Sequence, residues 1–124
     1  MLKTGLLLGS FFALLTVVLG AFGAHALKEQ LSEYGKSIYE KGVFYQMFHS
    51  LAILLIAIVN QYVEVVDYSL SIWCFTAGII LFSGSLYILA LTQIKWLGAI
   101  TPIGGLLFII GWGIVFFKTF NSSI

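Results

Sequence analysis

The chain has 124 residues, of which 60% are hydrophobic and only 9% charged, and its formal net charge is +1. A soluble domain carries roughly 25% charged residues, so water is not the main solvent here, and with lysines, no arginine and nearly balancing acids there is no basic face for nucleic acid. The composition, with a mean hydropathy of +1.07, is that of a membrane protein.

A bilayer core about 30 Å thick is crossed by roughly 20 apolar residues. Four runs of that length lie between the charges, at 5–27, 43–62, 68–92 and 96–117. They predict an all-α membrane protein, an antiparallel four-transmembrane-helix bundle built as a single integral membrane domain over residues 1–124.

The first run imitates a secretory leader, with Lys3 ahead of an apolar stretch and Ala24-His25-Ala26 fitting a cleavage pattern. It exceeds the usual leader core of about 7–15 residues, and Gly5, Gly9, Ala13, Thr16, Gly20 and Ala24 recur at intervals of three or four. Such a stripe is a packing face for another helix, which a disposable leader does not need.

Between the first and second spans, Leu27, Leu31, Tyr34, Ile38 and Tyr45 keep helical spacing, and the charges of Lys28 to Lys41 lie mostly away from them. An amphipathic interfacial helix is expected there, serving as a linker or as a docking surface. Lys28, Lys36, Lys41 and Lys95 fall on the face that holds the first and third connections, called here the loop face. Positive-inside puts that face in the cytoplasm, although Lys3 before the first span argues the reverse.

On the second span, Gln46, His49, Ile53, Ile56 and Asn60 share one side; on the third, Thr76, Ile80, Ser83, Tyr87 and Ala90 do. At about 1.5 Å per residue, His49 lies about 9 Å below the loop face, Tyr87 and Thr101 about 8 Å, and His25 about 3 Å. Lipid offers no hydrogen bonds, so Gln46, His49, Ser83, Tyr87 and Thr101 are expected to turn inward as a polar pocket with His25 at its rim. Cys74, the single cysteine, reads as a small buried hydrophobe.

The fourth span opens WLGAITPIGG. Pro102 has no amide hydrogen, so the helix either starts there, with Thr101 as its cap and free amides facing the pocket, or kinks one turn in. Gly104, Gly105 and Gly111 join Gly5, Gly9 and Gly20 as expected points of close helix packing.

GAFGAHAL (20–27), YQMFHSLA (45–52), GIILFSGSLYILAL (78–91) and LGAITPIGGLLFIIGW (97–112) together resemble the YgdD/YwdK-type family of small bacterial membrane proteins, a family of uncharacterised function with a mitochondrial transmembrane relative. The resemblance covers nearly the whole chain, and the segments 28–42 and 60–68 match least. It implies a multi-pass, four-helix protein of the bacterial plasma membrane and assigns no role to His25, His49, Tyr87, Thr101 or Pro102.

Small size and glycine stripes favour a non-catalytic accessory or scaffold subunit, contacting the lipid bilayer and a larger membrane complex or further copies of itself. A module holding haem, metal or quinone on His25 and His49 is the first alternative, but the two differ in depth and no acid lies in the spans to complete a closed metal site. No cofactor and no metal site are therefore expected. A proton-coupled transporter or channel would lack the intramembrane acid such proteins use and would depend on His49. An enzyme has least support, because Ser83 and Ser85 have no acid to orient a histidine.

Overall fold

Hydrocarbon cannot solvate a peptide group, so a chain of this composition must satisfy its backbone internally. In the computed structural model, which describes residues 1–124, 83 of the 99 backbone hydrogen bonds run within helices, and no strand is present. The helices are α1 (Leu2–His25), α2 (Glu33–Tyr62), α3 (Ser69–Thr92) and α4 (Thr101–Phe120), with a 3₁₀ turn at Lys95–Ala99 leading into α4. Four segments are long and apolar enough to cross a membrane.

Residues 26–32 form turns rather than a helix, and Ser32 opens α2 by accepting a bond from the Gly35 amide at 3.0 Å. The separate interfacial helix expected between the first two spans is therefore corrected: Glu33 to Gly42 are the first turns of one 30-residue helix. Gly35 and Gly42 are buried in it without breaking it, and Gly42 lies against the Tyr87 ring of α3. At about 1.5 Å per residue α2 is about 45 Å long, more than the hydrocarbon thickness, and its charged first turns run beside the last turns of α3, with Gly35 near the Ala90 carbonyl.

In α3 the residues Ile79–Ser83 form a π turn. A wider turn rotates the faces beyond it, so Ile79 is buried and Ile80, expected on the inner side, is exposed. Gln93, in the left-handed region at φ 59°, ends α3.

Small residues set the neighbours. Gly5 lies beside Ala57, Gly9 beside Leu54 and Gly23 beside Tyr39, which joins α1 to α2. Gly78 meets Phe108, Gly104 meets Phe82 and Gly111 meets Phe75, which joins α3 to α4. Of the expected packing glycines, Gly20 and Gly105 are not tight: a methyl group there would stand 3.5 Å from Val43 and 3.7 Å from Phe82, ordinary contact distances. In its most apolar window α3 is 56% buried, against 22% for α1 and 17% for the fourth span, so α2 and α3 are the inner helices and the other two flank them.

At the end opposite the loop face, Tyr68 donates its amide to Asn60 Oδ1 and its hydroxyl pairs with Thr119 at 2.6 Å, while Lys118 Nζ donates to the Asp67 carbonyl at 2.6 Å. Asp67 Oδ1 accepts from the Ser69 hydroxyl (2.6 Å) and amide (3.0 Å). These Ser69 bonds, with Lys118 nearby, hold the Asp67 carboxyl below the usual carboxylate range. A carboxyl depressed in the folded state stabilises it above the unfolded value, and that contribution is lost as pH falls through the lower folded value. Acidification below the ordinary carboxylate range is thus expected to lower the melting temperature slightly, and Asp67→Asn to flatten that part of the profile. Thermal melts in detergent across the acid range check it; identical profiles for both proteins would refute it.

Candidate functional site

Polar side chains cluster on the inner helices because only there can they find partners. Gln46, 2% exposed, donates its amide to the Phe12 carbonyl of α1 at 3.0 Å and accepts from the Tyr87 hydroxyl of α3 at 2.7 Å. One side chain thus ties three helices. Ser83, fully buried, donates to the Gly42 carbonyl at 2.6 Å, and Ser85 pairs with Thr101 at 2.6 Å across α3 and α4.

His49 is 3% exposed. Its Nε2 accepts from the Trp112 indole at 3.1 Å, and its Nδ1 lies 2.8 Å from the Tyr45 carbonyl. An indole only donates and a carbonyl only accepts, so the hydrogen of the neutral ring sits on Nδ1 and both nitrogens are occupied. The ring also stacks on Phe108, with centroids 3.6 Å apart and planes 6° from parallel.

The single pocket expected from depth is therefore several separate links. Tyr87 goes to Gln46, Thr101 to Ser85 and His49 to Trp112. His25 is exposed at the end of α1 and makes no side-chain hydrogen bond, so it does not rim them. The buried residues of α1 are Gly5, Gly9, Phe12 and Thr16, and nine residues past Thr16, at about 100° each, is the opposite side of the helix. Thr101 does not cap α4; it is the first residue of the helix, and the amides of Ile103 and Gly104 are taken by the Ile100 carbonyl, which leaves them unavailable to an anion. Trp112, absent from the expected residues, was legible as an indole N–H that hydrocarbon would leave unpaired.

Pro102 is exposed and borders the largest opening, a groove of about 780 Å³ between α2 and α4. Phe44, Tyr45, Phe48 and His49 line it from α2, Phe82 reaches it from the π turn, and Gly105, Phe108, Ile109 and Trp112 line it from α4. Nowhere in the chain do three of His, Cys, Asp and Glu come together.

A helical chain with four apolar segments of spanning length, several of whose buried polar groups pair from helix to helix, belongs to the class of multi-pass bacterial membrane proteins. More narrowly, the chain belongs to the family described as "Protein of unknown function (DUF423)", whose model matches residues 19–105. It is similar to a UPF0382 membrane protein of Staphylococcus aureus (strain bovine RF122 / ET3-1), with 49% identity covering 98% of this chain and 99% of the relative. A UPF0382 membrane protein of Staphylococcus haemolyticus is 46% identical over 97% of this chain and 98% of its own length, and one of Staphylococcus saprophyticus 47% over 97% and 99%. No solved structure matches the chain.

Proposed function

We propose that this protein is a non-catalytic accessory subunit, an antiparallel four-helix bundle that packs beside a larger membrane protein complex. The YgdD/YwdK-type proteins are included in the same reading, as relatives sharing this architecture. The observation that carries it is the pairing of His49: with Nδ1 on a backbone carbonyl and Nε2 on an indole, its imidazole acts as a strut between α2 and α4. A haem or metal would have to break that pairing to gain a ligand, and His25 stands exposed at the end of another helix. The same pairing argues against His49 as a proton carrier in a transporter, and the serines serve as hydroxyl links between helices.

Purification from the native membrane in mild detergent, with mass spectrometry of what accompanies it, tests the reading. A membrane protein recovered in fixed proportion supports it; recovery alone, or only with further copies of itself, overturns it. His49→Phe keeps a ring against Phe108 and removes the acceptor for Trp112. It is expected to cost about 1 kcal/mol of stability while partner recovery per folded molecule stays unchanged. Loss of the partner from a protein that still melts as the parent does would assign His49 a functional role instead.

A further inference from the structure

The groove between α2 and α4 has a direction. From Pro102 to Trp112 it follows ten residues of α4, about 15 Å at about 1.5 Å per residue, which is half of a hydrocarbon core about 30 Å thick. Its length therefore matches the depth of one leaflet, with the Pro102 end nearer the loop face. Phe44, Phe48, Leu106 and Ile109 along it are exposed, so its open side faces lipid. Its volume of about 780 Å³ lies in the range of about 300–1,000 Å³ typical of ligand sites.

The upper end is charged. Lys41 lies one turn above Phe44 and Tyr45 on the same side of α2 by i, i+3, i+4 spacing. It is exposed, and the one ion pair in the structure joins Lys36 to Glu33 and leaves Lys41 free. Its neighbour Glu40 lines a different cavity, between α1 and α2. A lysine stem runs along apolar surface while its ammonium reaches the headgroup layer. The π turn brings Phe82 to the groove and Gly105 leaves space in its wall.

We propose that this groove binds a single anionic phospholipid, with one acyl chain along the aromatic lining and the phosphate at Lys41. The proposal does not depend on the accessory reading, because it concerns a lipid ligand and is tested on the protein without partners.

The test uses the full chain reconstituted in phosphatidylcholine vesicles containing a minor fraction of lipid with brominated acyl chains, either phosphatidylglycerol or phosphatidylcholine. Trp73→Phe/Trp96→Phe leaves Trp112 in the groove as the only tryptophan, excited selectively over the tyrosines; Trp96→Phe/Trp112→Phe leaves Trp73, exposed on α3, as a reporter of bulk lipid. Brominated phosphatidylglycerol is expected to quench Trp112 more strongly than brominated phosphatidylcholine, with an apparent preference of about fivefold, and to show no preference at Trp73. Lys41→Gln is expected to abolish the preference, and Gly105→Leu, which puts a side chain into the groove that Gly105 lines, to reduce quenching of Trp112 by both lipids. Equal quenching of Trp112 by the two lipids, a preference that survives Lys41→Gln, or the same preference at Trp73 would each overturn the site. If Gly105→Leu does not fold, the exposed Lys41→Gln variant decides alone.

Discussion

Gly104→Ala is expected to destabilise the folded protein by about 1–3 kcal/mol, the usual cost of forcing a methyl group into a filled interface. A Cβ at this position would fall against the backbone nitrogen of Phe82, and within 2.7 Å of its Cβ and 2.8 Å of its Cα. Those atoms belong to the π turn of α3 and have no rotamer through which to withdraw. The neighbouring Gly105→Ala is the control, since its added carbon would stand 3.7 Å from the Phe82 ring, an ordinary contact, and is expected to change stability by no more than about 0.5 kcal/mol. Unfolding of both variants in the same detergent, followed by tryptophan fluorescence, gives the comparison. Equal stability of the two would mean that α4 does not approach α3 as closely as these positions require.

That contrast marks what the sequence made legible. The four apolar runs and the inner side of α2 could be read directly, because spanning length and i, i+3, i+4 spacing follow from helix geometry. Gln46, His49, Ile53 and Ile56 are all buried as the spacing implies. Depth was less legible: His49 was expected level with Thr101, yet its partner Trp112 lies eleven residues, about 16 Å, further along α4, and depth without azimuth placed His25 at a pocket it faces away from. The π turn has no signature in GIILFSGS, yet it decides that Ile79 and not Ile80 turns inward. Glycines advertise close packing without saying where, so Gly20 and Gly105 were expected to be tight and are not, whereas Gly23, Gly42 and Gly78 are. Partner identity was the least legible property. Trp112 for His49, Ser85 for Thr101 and the Phe12 carbonyl for Gln46 depend on which helices are neighbours, and local pattern does not fix that.

The second large effect is expected at Gln46, where one buried amide holds α1, α2 and α3 together. Gln46→Leu keeps an apolar body of similar length but leaves the Tyr87 hydroxyl without its acceptor, at a cost of about 1–3 kcal/mol. The Phe12 carbonyl suffers less, since it also accepts from the Thr16 hydroxyl at 2.7 Å. Removing both ends of the α2–α3 link is expected to cost less than the two single changes together, so Gln46→Leu/Tyr87→Phe should recover part of the loss. Cycles across membrane helices give couplings of about 0.6 kcal/mol on average and up to about 1.7 kcal/mol, and a side chain this deeply buried belongs near the upper figure. Unfolding of the parent, both single variants and the double variant in one detergent closes the cycle. Strict additivity would mean that the amide and the phenol do not meet, and the case for paired polar groups as the ties of this bundle would fail with it, because no other side chain here hydrogen-bonds to two helices besides its own.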